Sequence, residues 1–194
     1  MTDEDHDETA LVARARGGDP DAYGALVRRY SRDAVRVATA ITGSTRDAED
    51  AAQSAFVKAY LSLGRFREGA PMRPWLMRIV ANEAKNARRS SQRRDRLAER
   101  SVERYCTIAP SAEDGAIAEV VTEDLLRALG RLDDRDRSII ALRFFAELSE
   151  AETAVALECP VGTVKSRLSR AMARLREQLE PPRAATASAE GETG

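Results

Sequence analysis

Histidine is almost missing from this chain: one residue, His6, in 194. Cysteine is scarce too, with Cys106 and Cys159 far apart and no CxxC pair. No ligand set has metal-site spacing, so neither a metal nor any other cofactor is expected. With the histidine placed in a polar tail, and no nucleophile–base pair or phosphate-cradling glycine loop to replace it, the chain does not read as an enzyme. Aromatic residues make up only 5% and Trp75 is the sole tryptophan, so the core must be aliphatic and modest. No apolar run reaches the roughly 18 residues a membrane helix needs, which argues against membrane insertion. The opening MTDEDHDETA is acidic and no signal-peptide core follows it, so a cytoplasmic location is expected.

What is present is charge, 32% of residues, almost balanced at a net of −1. The balance hides alternating blocks. Residues 1–10 hold five acids, residues 73–100 hold nine Lys or Arg against three acids, and residues 111–126 hold five acids and no base. Basic blocks separated by acidic ones fit a nucleic-acid partner better than the net charge suggests.

The hydrophobic pattern is helical throughout, with no alternating strand, so an all-α fold is predicted. A first helix over residues 9–16 should end at Gly17-Gly18. Asp19 and Pro20 then supply the N-cap and first position of a second, running to about Tyr30. A third is expected over residues 33–42, stopped by Gly43. A fourth, capped by Ser44 or Thr45, runs to about Leu63 with Ala48, Ala52, Ala55 and Ala59 as a small-residue seam. Residues 64–73, GRFREGAPMR, read as a loop before a helix over 74–90. On that helix Arg78, Asn82, Lys85, Asn86 and Arg89 form a basic polar stripe, while Trp75, Leu76, Ile79 and Val80 face a core. Residues 92–119 are charged and weakly periodic, with Pro110, and read as a flexible linker. The result is two small helical domains, 9–91 and 120–180, joined by that linker, with a disordered tail over 181–194.

The most informative stretch is residues 132–179. Ser149 and Glu152 make a capping box at the start of a short helix that stops before Pro160. Beyond it, Val161, Val164, Leu168, Met172, Leu175 and Leu179 recur every three or four residues and define one apolar stripe. Lys165, Ser166, Ser169 and Arg170 fall on a different face. Two helices joined by a tight turn, the second one basic, is the pattern of a helix-turn-helix. On periodicity alone, a solvated basic face remains an equal reading.

Both halves together resemble a bacterial RNA polymerase sigma factor of the extracytoplasmic-function (ECF) group of the sigma-70 family. In the first half the resemblance rests on Asp47-Ala48-Glu49-Asp50, Gln53, Phe56, Lys58-Ala59-Tyr60, Arg65-Phe66-Arg67, Trp75-Leu76, Arg78-Ile79, Asn82 and Lys85-Asn86. In the second it rests on Leu132, Arg137, Leu142-Arg143-Phe144, Leu148-Ser149 and, above all, the run from Pro160 to Leu168, PVGTVKSRL. Four positions depart from the family pattern: Tyr23, Met72, Thr153 and Glu158. Glu158 sits where glycine is common in the turn, which implies either a strained turn or a slightly longer first helix.

The resemblance implies a promoter-specificity subunit for transcription initiation. Residues 9–91 would be sigma region 2, binding core polymerase and the minus-ten element. Residues 120–180 would be region 4, binding the minus-thirty-five element. Asp47, Asp50, Gln53 and Phe56 would hold the clamp helices of the largest polymerase subunit, and region 4 would meet the flap. Phe66, Arg67, Asn82, Lys85 and Asn86 would capture the melted minus-ten strand, with Lys58 on a phosphate. Lys165, Ser166, Ser169 and Arg170 would enter the major groove, while Thr163, Arg167 and Arg143 touch phosphates. An anti-sigma protein is a further partner that such factors often have. The competing class is a dimeric operator-binding regulator; the first half shows no ligand or phosphoacceptor module for it. A helical scaffold without DNA binding would leave the basic positions idle.

Overall fold

The computed structural model describes residues 3–67, 69–101 and 123–179, and among them the regular structure is helical throughout, as predicted. The first group comprises α1 (Asp3–Arg16), α2 (Pro20–Thr42), α3 (Thr45–Ser62) and α4 (Met72–Ser101). The second comprises α5 (Glu123–Arg131), α6 (Asp134–Ile140), α7 (Glu150–Leu157) and α8 (Val161–Leu179). The greater part of the expected linker, and the tail from residue 181, lie outside the described residues.

Local signals set most boundaries. α1 ends at Gly17 and at Gly18, whose φ is +89°. Asp19 caps α2 by accepting hydrogen bonds from the Asp21 and Ala22 amides at 3.0 and 3.1 Å, with Pro20 at the first position. Gly43, at φ +76°, donates its amide to the Thr39 carbonyl and closes α2. Ser44 accepts the Asp47 amide at 3.2 Å and opens α3.

Besides the start of α1, at Asp3 rather than residue 9, three boundaries differ from the sequence reading. α2 is one continuous helix, not two: no glycine or proline separates Tyr30 from Asp33, Tyr30 is buried, and Asp33 is held by Arg73 of α4 at 2.8 Å. α4 begins at Met72, two residues before Pro74, because its first free amide has a partner: Glu8 of α1 accepts the Met72 N–H at 3.2 Å. The Tyr30 hydroxyl donates to the same Glu8 carboxylate. α4 also continues past residue 90 to Ser101, taking in what reads as the start of the linker. Its Arg-rich sequence there contains no glycine or proline.

Packing follows from side-chain size. Ala48, Ala51, Ala52, Ala55 and Ala59 of α3 are all buried, which lets α3 lie close against α2 and α4. Leu26, Val37, Ile41, Leu76 and Met77 fill the space between them. In the second group Leu129, Ile139, Ile140, Leu142 and Leu148 are fully buried. α6 runs into one π-helical turn, Ala141–Phe145, in which the Ala146 amide reaches back to the Ala141 carbonyl at 3.1 Å. Thr153 of α7, at 0% exposure, keeps a buried hydroxyl with no partner.

The two groups are not separate beads: one continuous apolar core runs through both. Arg137 of α6 is 1% exposed and donates to carbonyls of Leu129, Gly130 and Leu132, and across the junction to Ile41 of α2 at 3.2 Å. Arg88 of α4 donates to Gly130 at 2.7 Å and to Thr42 at 3.4 Å.

The α2 cap gives a pH-dependent test. Hydrogen bonding from the Ala22 amide, then from Arg14, holds the Asp19 carboxyl below its usual 3.8. A carboxyl depressed in the folded state contributes stability above its unfolded value and loses it as pH falls through the folded one. Asp19→Ala should therefore lower the melting temperature at neutral pH. The gap from the parent protein should close as pH drops below 3.8, as read by circular dichroism melts across that range.

Candidate nucleic-acid interface

α7 and α8 form the helix-turn-helix. The capping box is complete: Ser149 Oγ accepts the Glu152 amide at 3.2 Å, and Glu152 Oε2 accepts the Ser149 amide at 2.8 Å. α7 ends at Glu158, whose φ of +51° makes the turn strained rather than the helix longer. Cys159 returns its amide to Ala154 at 3.0 Å, and the Pro160 carbonyl accepts the Thr163 and Val164 amides of α8. Val164, Ala171 and Leu175 of α8 are buried, with Leu168 and Met172 packed behind them; the ends of the stripe, Val161 and Leu179, stay exposed.

The opposite face of α8 is open. Lys165, Ser166, Ser169 and Arg170 are all exposed, and Thr163 and Arg167 are half-buried beside them. The Arg170 Nε rests on the Ser166 carbonyl at 3.2 Å, and Lys165 lies 3.5 Å from Glu150. These are loose, exposed contacts that a guanine edge or phosphate can replace. Arg174 is engaged differently: it bonds the nearly buried Asp136 and pins α8 to α6. Arg143, expected at a phosphate, turns inward; its guanidinium donates to the Leu148 carbonyl and its Nε is buried.

In the first group the structure brings part of the expected minus-ten set together. Asn82 and Asn86 are exposed one turn apart on α4. Lys85 between them is half-buried, and burial, then the neighbouring Arg89, holds its ammonium below the usual lysine range. Arg89 pairs with Asp134 of α6 at 2.9 Å. Lys58 pairs with Glu83 at 2.6 Å, so a phosphate would have to compete for it. Phe66 corrects the sequence reading: it is 5% exposed and stacks obliquely on Trp75 at 4.8 Å. It anchors the loop from below, leaving Arg65 and Arg67 on the outside. Its apolar ring has a better partner in the core than in water.

On α3, Asp50 and Gln53 are exposed, Asp47 is partly covered, and Phe56 packs on the core. The sequence reading missed the rest of that face. Val57 is 59% and Leu61 76% exposed, in line with Asp50 and Gln53 at helical spacing, and Tyr60 is exposed beside them. The signal was available: both apolar residues lie off the alanine seam. Tyr23 braces this face from α2, donating to the Phe56 carbonyl at 2.5 Å and meeting the Tyr60 ring at 4.9 Å. Burial pushes the Tyr23 hydroxyl up to about 12, so it stays a donor at neutral pH.

A helical bundle followed by a helix-turn-helix is a DNA-binding architecture, and the comparisons with known proteins narrow it. Residues 26–94 match the family model Sigma-70 region 2, and residues 122–175 match Sigma-70, region 4. RNA polymerase sigma factor NccH of Alcaligenes xylosoxydans xylosoxydans is 34% identical, over 93% of this chain and 98% of that protein. The RNA polymerase sigma-H factor of Pseudomonas aeruginosa is 31% identical, over 88% and 93%. CnrH, solved in complex with the cytosolic domain of CnrY, superposes with a TM-score of 0.66 at 28% identity, over 89% of this chain and 97% of that one. The sigma factor RpoE of Bartonella quintana, solved with the anti-sigma factor NepR, gives 0.61 at 25% identity, over 83% and 98%. The chain belongs to the ECF group of the sigma-70 family, whose members serve transcription initiation.

Burial separates the exposed candidate residues from the supporting ones, and stability measures the difference. Lys165→Ala and Arg170→Ala should each leave folding stability within about 0.5 kcal/mol of the parent. Phe66→Ala, which removes a buried ring, should cost about 3–5 kcal/mol. Urea unfolding of the three variants checks both.

Proposed function

We propose that this chain is a promoter-specificity subunit that docks on core RNA polymerase through α3, reads a minus-thirty-five duplex with α8, and captures a melted minus-ten strand along α4 and the preceding loop. The observation that carries the reading is the division of α8. Its apolar stripe is spent on the core, and its outward face offers two cations and two hydroxyls within two turns.

Lys165 and Arg170 can each meet the acceptor pair of a guanine, and Ser166 and Ser169 can accept or donate at a neighbouring base edge. Thr163 and Arg167, half-buried beside them, suit phosphate oxygens, which set register rather than sequence. Asn82 and Asn86 provide donors and acceptors for the edges of unstacked bases, and Arg67 a cation for their phosphates. Arg143 supports the region 4 turn before it contacts DNA. On α3, carboxylates and an amide bordered by Val57 and Leu61 make a mixed contact surface of the kind protein interfaces use. The flap is proposed as the contact of region 4.

The same reading makes the chain a cytoplasmic binding protein with no catalytic site and no bound cofactor. No helix among the described residues is long and apolar enough to cross a membrane. An anti-sigma protein is proposed as its inhibitor, since CnrH and the Bartonella RpoE were each solved bound to a partner, in the second case an anti-sigma factor.

Two variants separate the surfaces. Leu61→Asp, with Val57→Asp, should abolish co-elution with core polymerase and leave the fold intact. Arg170→Ala should leave co-elution unchanged and weaken binding of the holoenzyme to a duplex carrying its upstream element by roughly 5- to 150-fold. Unchanged core binding by the α3 variant, or an Arg170 effect equal on all DNA sequences, would contradict the assignment.

A further inference from the structure

α8 is held within its group by two kinds of contact. The first is apolar. Val164, Ala171 and Leu175 are buried, with Leu168 and Met172 half-buried beside them. Apolar burial is non-directional: it decides which face turns inward, but constrains the rotation less than a bond of set length and direction does. Ala171 is small and Met172 is unbranched and adaptable, so the middle of the stripe interlocks weakly. The second kind is directional. Arg174 Nη1 donates to Asp136 Oδ2 and lies 3.7 Å from Asp133 Oδ2. The Asp133 carboxylate is already oriented, because its other oxygen caps α6 by accepting the Arg135 and Asp136 amides at 2.9 and 2.8 Å. The Asp136 side chain is 6% exposed, and Arg174 is its one ionic partner among the described residues. α6 is fixed in its turn, since the next residue, Arg137, is bonded to carbonyls at the ends of α5 and α2.

Rotation matters more for reading bases than for touching the backbone. On a helix about 10–12 Å across, a roll of about 15° carries a side-chain tip roughly 1.5 Å. A hydrogen bond to a base edge tolerates a spread of only about 0.5 Å. A recognition helix that keeps its packing but loses its rotation still lies in the groove and meets phosphates, while its base contacts fail together.

We propose that Asp136, with Asp133, is a positioning residue for promoter reading: through Arg174 it sets the roll of α8, and with it the base preferences of Lys165, Ser166, Ser169 and Arg170 as a set. This rests on the assignment of α8 to the minus-thirty-five duplex. Neither aspartate touches DNA. Arg174 is a strut between two helices and not a phosphate contact, although half of its side chain is exposed.

The test compares equilibrium binding of the holoenzyme to duplexes bearing the upstream element of one of its own start sites, and to each single-base substitution of that element. Asp136→Asn keeps the shape and removes the charge. Arg174→Met keeps the stem and removes the guanidinium. Either change should lower the preference for the matched base roughly fivefold, at every position that α8 reads, with binding to fully mismatched duplex nearly unchanged. Arg170→Ala, by contrast, should lose preference at its own position only. Asp136→Asn/Arg174→Met should lose no more than either single variant, because the pair acts as one unit. Arg174→Lys, which keeps a cation for Asp136, should stay closer to the parent than Arg174→Met. Preferences matching the parent's in both single variants, whatever their melting temperatures, would overturn the proposal and leave the pair merely structural. Equal weakening on all duplexes by Arg174→Met, with a salt slope lower by about one, would overturn it too, by placing Arg174 on a phosphate. A parent holoenzyme with no preference at any of these positions would overturn the reading of α8 itself, so the two failures are told apart.

Discussion

The Arg137 guanidinium holds the second helical group together and joins it to the first. It lies where α5 and α2 both end, and helix C-termini carry unpaired carbonyls and the negative end of the helix dipole. Four such carbonyls accept its protons, from Leu129, Gly130, Leu132 and Ile41. Arg88 adds a second cation, bonding Gly130 and Thr42. Burial, then the nearby Arg88, pushes Arg137 down to about 10, so it remains charged at neutral pH. A buried charge is costly unless its donors are satisfied. Here helix ends satisfy them, with the Asp134 carboxylate 3.8 Å away, each bond from a charged donor being worth about 1.5–3 kcal/mol.

That arrangement positions everything functional. With α2 anchored at its C-terminus, α3 and α4 pack on it and on each other, α3 through its alanine seam. α6 carries Asp136 to Arg174 and so fixes the roll of α8, which decides that Lys165, Ser166, Ser169 and Arg170 face outward. Glu8 does comparable work at the other end, where one carboxylate takes the Tyr30 hydroxyl and the free amide of Met72. The outward face of α8 stays exposed while Arg88, Arg137 and Arg174 are committed to partners within the fold.

Much of this was legible in the sequence because it is local. Asp19-Pro20, Gly43, Ser44 and the Ser149–Glu152 box each set a boundary within a few residues, and the apolar stripe of α8 fixed its inward face. What was not legible depends on distant partners. The continuity of α2 rests partly on Arg73 holding Asp33, and the early start of α4 on Glu8, 64 residues away. Phe66 looked available because its neighbours in sequence are polar; only the fold brings Trp75 beneath it. Two helical domains were predicted, but not that they share a core, because the bonds joining them run from one side chain to a carbonyl 96 residues distant. The strain at Glu158 was foreseeable from glycine being expected there, whereas its partner Arg78 was not.

The most direct measurement is run-off transcription by purified core RNA polymerase on fragments of the source genome, with and without this protein. Defined start sites should appear only in its presence, and the sequences upstream of them should align into two elements at a fixed spacing. A folded protein that yields no new start sites and does not co-elute with core polymerase would contradict the assignment.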